Sequence, residues 1–187
     1  MADYFQTIVD TGAGLGEADH LARHVVSLLS GRGVVAATPS EEGGYDRGPH
    51  ATDISAEAPP GPSLRHESIP PVYSHLQVLI GRMTHASDLS EFKTPRALCP
   101  ACGAELQDPE GDWQAAVQAW IGGDDDAVLP CAACGKEAPV AAWNYDSTYG
   151  FGNLAFRFWN WPPLSAAFLE EIRRELRHPI VLVKGKL

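Results

Sequence analysis

Long apolar runs are missing from this 187-residue chain. No stretch approaches the roughly 18 to 20 consecutive apolar residues that a membrane helix needs, and the opening MADYFQTIVD has no basic segment leading into an apolar one. A soluble, cytoplasmic protein is expected. Basic residues are scarce too, 14 Lys and Arg against 24 Asp and Glu, for a formal net charge of -10. The shortage is sharpest at 99–146, with nine acids and one base, whereas 1–98 carry twelve and seven and 147–187 carry three and six. Binding to a phosphate backbone depends on clustered cations that release counterions, so nucleic acid is disfavoured as a partner; only Arg173, Arg174 and Arg177 offer a basic patch. Four lysines against ten arginines, with abundant Ala, Gly and Pro, suggest a GC-rich bacterial source. The standard sequence signatures of catalysis are absent as well. Thr11-Gly12-Ala13-Gly14-Leu15-Gly16 lacks the lysine and hydroxyl of a phosphate-binding loop, and neither a GxSxG elbow nor an HExxH helix occurs.

What is there supports one domain over residues 1–187, a length at which folding buries roughly 70% of the surface exposed by the unfolded chain. Tyr4 to Val9 reads as a strand, Glu17 to Ser30 as a helix with Leu21, Val25, Leu28 and Leu29 at helical spacing and Gly31 just past its end, and Gly33 to Thr38 as a second strand. The C-terminus repeats the plan. Leu154 to Asn160 is a strand and Ser165 to Arg177 a helix with Phe168, Leu169, Ile172 and Leu176 in one stripe. Ser165 suits its N-cap, acids lie early and arginines late, and Pro179 to Lys184 follows as an apolar strand expected to be covered on both faces. Two such halves imply an α+β fold, a ferredoxin-like split β-α-β arrangement with an insertion between the halves. Val72 to Ile80 supplies a further strand of unassigned position. Between them, 41–71 hold six prolines and four glycines in 31 residues and read as a long surface loop carrying His50, Asp53, Arg65, His66 and Glu67.

All four cysteines fall in two matching patterns, Cys99-Pro-Ala-Cys102-Gly103 and Cys131-Ala-Ala-Cys134-Gly135. Two intervening residues let both sulfurs of a pair turn toward one ion, and the glycine permits the left-handed backbone that aims amide N–H groups at sulfur. Four thiolates favour a tetrahedral zinc, though they also hold a single iron, and they close the coordination shell, so the ion is expected to be structural. Disulfides are rare in the cytosol, and a redox CxxC normally lacks a matching second pair. These knuckles resemble a zinc ribbon, over 99–135 only. Ribbons serve mostly as platforms for contacts with proteins or nucleic acids; what the resemblance implies here is the pairing of the two knuckles, not the surface function of a compact ribbon. The 28 residues between Cys102 and Cys131 exceed the roughly 15 to 20 of the compact pattern. The excess reads as a helix, with Trp113, Ala116, Val117 and Trp120 on one face between Pro109 and Gly122.

Half of the sixteen aromatic residues lie between Trp143 and Trp161. Strand alternation places Leu154, Phe156 and Phe158 on one side and Arg157, Trp159 and Trp161 on the other, a candidate partner-binding surface unless the two tryptophans pack under the ribbon or the 41–71 loop. His20 and His24 stand four apart on the first helix, a spacing that binds metal, but with no third ligand at a diagnostic spacing they read as an exposed helix face. The leading expectation is a non-catalytic, zinc-stabilised protein-interaction module, an adaptor or inhibitory partner. The alternative is an enzyme or small-ligand binder whose pocket lies between the sheet, the 41–71 loop and the 143–161 aromatic stretch, with His50, Asp53, His66 or Glu67 as its ionisable groups.

Overall fold

The computed structural model describes residues 3–41, 43–56, 74–87, 95–107 and 111–186. It is an α+β protein whose main sheet is antiparallel throughout. Strand β1 (Tyr4–Asp10) leads into helix α1 (Leu15–Gly31); β2 (Tyr45–Asp46) and β3 (His75–Ala86) follow, then α2 (Asp112–Ile121), the short β4 (Val128–Pro130) and β5 (Glu137–Pro139), and finally β6 (Tyr149–Trp159), α3 (Ala166–Leu176) and β7 (Ile180–Lys186). The sheet order is β2-β3-β6-β1-β7, while β4 and β5 pair separately. The expected strand near 72–80 is therefore β3, and it lies beside β6; residues 72 and 73 are outside the described set. No helix among the described residues is long and apolar enough to cross a membrane.

Both long helices pack on one sheet face. Ile8, Leu76, Leu154, Phe156 and Phe158 supply the sheet side of this core, Val25 and Leu29 come from α1, and Phe168, Ile172 and Leu176 from α3. Helix α1 starts at Leu15, two residues earlier than its apolar spacing indicates, because the Glu17 carboxylate accepts the Gly14 N–H at 2.9 Å and ties down the first turn. It ends through Gly33, at φ +68°, rather than Gly31, with the Val34 N–H on the Leu29 carbonyl at 2.9 Å. On α3, Ser165 caps as expected, accepting the Phe168 N–H at 3.1 Å.

Two strand expectations need correction. Gly33 to Thr38 forms no strand of the sheet: its backbone pairs locally with the following loop, Gly48 N–H to the Val34 carbonyl at 2.8 Å and Ala36 N–H to the Asp46 carbonyl at 2.9 Å. Gly48 sits so close to Gly33 that a Cβ there would lie 2.1 Å from its carbonyl oxygen. Strand β7, expected to be covered on both faces, is an edge strand paired only with β1, and Ile180, Val181 and Leu182 are half-buried. The described part of the 41–71 loop is anchored. A 3-10 turn at Ala51–Ile54 buries both end residues, and the Ile54 carbonyl accepts the Ser165 N–H at 2.9 Å. Residues 57–73, with Arg65, His66 and Glu67, lie outside the described residues.

Part of the other sheet face is covered by the far halves of β3 and β6, which bend back over it. A register shift between Ile80 and Met83, with Gly81 at φ +118°, bends the pair. Beyond the bend the sequence Tyr149-Gly150-Phe151-Gly152 alternates ring and glycine. The glycines lie on β1, where a Cβ at Gly152 would come within 2.6 Å of the Asp10 carbonyl oxygen and 2.8 Å of Val9. The rings face away, into a second core that joins Trp113, Val117 and Trp120 of α2 to Leu129, Val140, Trp143 and Tyr145. Gly152→Ala is expected to destabilise the fold by about 1–3 kcal/mol, since a backbone atom cannot step aside as a side-chain tip does; urea denaturation midpoints check it.

Candidate metal centre

Each cysteine pair sits at the tip of a short antiparallel pairing. The first knuckle lies between the bridged residues Leu98 and Glu105, the second between β4 and β5. Their backbones follow one pattern. The Cys99 N–H bonds to the Ala104 carbonyl at 2.8 Å and Gly103 N–H to the Cys99 carbonyl at 2.9 Å; Cys131 N–H bonds to the Lys136 carbonyl at 2.9 Å and Gly135 N–H to the Cys131 carbonyl at 2.8 Å. Gly103 and Gly135 adopt φ +72° and +69°, the left-handed conformation the spacing predicts.

These turns bring the four sulfurs within 4.8 Å of one another. Cys102 and Cys131 Sγ are 3.7 Å apart, and sulfurs at the corners of a tetrahedron around an ion with 2.3 Å bonds lie roughly 3.8 Å apart. Four sulfurs this close could hold one metal ion. Cys99 and Cys131 are buried against Trp143 and the rest of the second core, while Cys102 and Cys134 are exposed. The backbone N–H groups of Cys134 and Ala133, with the neighbouring thiols, hold the Cys131 thiol down to about 7 despite burial. At Cys102 the Ala104 amide favours the thiolate, but the Cys134, Cys131 and Cys99 thiols and burial outweigh it and push the group up to about 12. A cation placed among the sulfurs removes that competition for one negative charge.

No protein family, curated protein or solved structure matches the chain.

The three residues expected to share a surface do not. Arg157 and Trp159 lie on the sheet face opposite the helices, as alternation requires, but Asn160 at φ +52° breaks the strand and turns Trp161 back into the helix-side core. Trp161 is only 4% exposed, packs edge-on against Phe158 at 5.3 Å and donates its indole N–H to the Ala51 carbonyl at 3.1 Å. Trp159 is half-buried between Phe5 and His75, its N–H on the Gln77 side-chain oxygen at 3.0 Å. The Arg157 guanidinium donates to Thr7 Oγ1 at 3.0 Å and lies over the Phe5 and Trp159 rings at 4.9 and 5.5 Å. Of the loop residues, His50 and Asp53 face each other at 3.5 Å in solvent. Arg173, the first of the basic patch, is held by Glu170 at 2.6 and 2.8 Å.

The Gly12–Gly14 turn is not an anion cradle. Its N–H groups are taken by carboxylates of the chain itself, those of Gly12 and Ala13 by Asp10 and that of Gly14 by Glu17.

Sequence reasoning missed His85, which the bent β3–β6 pair buries at 1% exposure beside Arg157, with Nδ1 3.4 Å from the guanidinium. Burial, and then the Arg157 charge, lower its pKa to about 4. The unfolded chain takes up this proton as pH falls through about 6.5, whereas the folded chain resists until about 4. Stability that is complete above pH 6.5 is therefore lost on acidification toward pH 4, by about 3 kcal/mol from this residue. His85→Gln is expected to flatten the dependence by that amount. Comparing urea midpoints of the two proteins at pH 7 and pH 4.5 isolates it from thiolate protonation, which both share.

Proposed function

We propose that the protein is a non-catalytic, zinc-stabilised protein-interaction module of a bacterial cytosol, an adaptor or an inhibitory partner. The observation that carries this reading is the set of four sulfurs within 4.8 Å, which fills a tetrahedral shell and leaves no position for substrate. Two knuckles at the tips of adjacent short pairings support a zinc-ribbon kinship for the segment around Cys99–Gly135, enlarged by α2. The order β3-β6-β1-β7, in which each β-α-β unit brackets a strand of the other, supports a ferredoxin-like body carrying that insertion.

The partner surface is narrowed to Arg157 and Trp159. A half-buried indole beside a guanidinium offers a large contact with little ordering cost, as aromatic anchors at interfaces do. The enzyme reading is less favoured because His50 and Asp53 stand in solvent rather than around a concavity. Pull-down from native lysate at physiological salt is expected to recover a defined protein partner. Trp159→Ala is expected to weaken its binding by about 2 kcal/mol or more, measured by calorimetry on the recovered pair. A chain that always elutes alone, or binding indifferent to Trp159→Ala and Arg157→Gln, contradicts the assignment.

A further inference from the structure

At the groove between the first turns of α1 and the chain leaving α3, a buried carboxylate orients an imidazole. The Asp10 side chain is fully buried and fixed by three bonds: Oδ1 accepts the Gly12 and Ala13 N–H groups at 2.9 and 3.0 Å, and Oδ2 meets His178 Nδ1 at 3.0 Å. The imidazole rests on Gly12, where a Cβ would lie 3.0 Å from the ring, so neither the ring's position nor its tilt is free. With Nδ1–H given to the carboxylate, Nε2 keeps its lone pair. That is the arrangement in which a histidine binds metal, with a carboxylate behind it setting the tautomer.

We propose that this groove is a second metal site, for a divalent first-row transition cation of the zinc type, with His178 Nε2, Glu17 and His20 as its protein ligands. Nε2 faces Glu17 Oε1 at 3.9 Å, too far for a hydrogen bond and within the reach of two metal bonds of about 2.0–2.2 Å. Glu17 is steadied by the Gly14 N–H at 2.9 Å, and His20 stands one helical turn further along the same face of α1. Among the described residues only the cysteines already hold three or more ligand atoms within 4.8 Å; His20 lines the same groove and is exposed, and closing the site requires its side chain to rotate inward. The groove, about 520 Å³, admits an ion with its water. His24, the other histidine of the pair noted in the sequence, is engaged with Glu175 at 2.8 Å and is not needed. Arg174 and Arg177 also line the groove and oppose a cation held by charge alone, so Mg²⁺ and Ca²⁺ are disfavoured and imidazole affinity selects Zn²⁺, Ni²⁺ or Cu²⁺. Three protein ligands leave an open position, unlike the thiolate centre.

The test is calorimetric titration of Zn²⁺ into the full, reduced chain whose cysteine centre already holds one equivalent. A second equivalent is expected to bind, to be lost in His178→Gln and to weaken about tenfold or more in His20→Gln, an exposed position whose substitution leaves folding intact; Mg²⁺ should give no heat. A chain that takes up no second equivalent at millimolar Zn²⁺, or one whose second equivalent ignores both substitutions, overturns the site.

Discussion

Stripping the metal from the reduced protein with a strong chelator should unfold one of its two cores and spare the other. The core around α2 includes Trp113, Trp120, Leu129, Trp143 and Phe151, but its strands β4 and β5 are only three residues each. A two-stranded pair of that size is marginal by itself. Structural zinc contributes about 10–16 kcal/mol at neutral pH in small domains, and where the ligands are disordered without it that binding energy is folding energy. Amides of α2, β4 and β5 are therefore expected to lose hydrogen-exchange protection on chelation, together with the Tyr149–Gly152 end of β6 that they pack against, while β1, α1 and α3 keep theirs. Cys131→Ser should reproduce the pattern, because a hydroxyl is a poor ligand and its site is buried. Uniform loss across both cores, or no loss at all, contradicts the division.

Trp161→Ala is the second large effect expected, and it falls on the other core. The indole fills space beside Phe158, anchors the Ala51 turn through its N–H, and carries Arg47 over its ring at 5.2 Å. Truncation removes the ring, leaves the Ala51 carbonyl without that donor and opens a cavity that surrounding strands cannot fill, for about 3–5 kcal/mol of lost stability. A fall in Tm of roughly 10 °C or more should accompany it. Trp159→Ala, at a half-buried site, should cost clearly less. Equal losses at the two positions would mean that the two faces of the sheet are equally closed and that Trp159 is no docking residue.

Why one tryptophan was legible and the other was not is instructive. Period-2 alternation sorts Leu154 through Trp159 correctly because those residues are in one unbroken strand. It fails one residue later, where Asn160 takes a left-handed conformation that asparagine tolerates and few others do, and its side chain then accepts the Tyr4 N–H at 2.9 Å. An Asn before a Trp-Pro-Pro run was the available warning. The helices were legible because each carries a stripe and a recognisable end, and the four-cysteine cluster because ligand spacing and glycine act within five residues. Gly33–Thr38 misled because β-branched content says nothing about which backbone will take its hydrogen bonds, and here residues 46–48 do. Asp10 and His178 stand 168 positions apart, so no local pattern announces them. The Gly150 and Gly152 alternation did carry a signal, a strand face with no side chains meant to lie directly on another strand, and it was there to be used.

X-ray absorption at the zinc edge, on freshly prepared reduced protein loaded with one equivalent, separates a closed tetrathiolate centre from every other coordination. One zinc per chain is expected, with four sulfur neighbours at about 2.3 Å and no nitrogen or oxygen bound to it. Nitrogen or oxygen in that shell, or protein that holds less than about half an equivalent of zinc with no iron in its place, would contradict a closed tetrathiolate centre and with it the reading of the insertion as a metal-built platform.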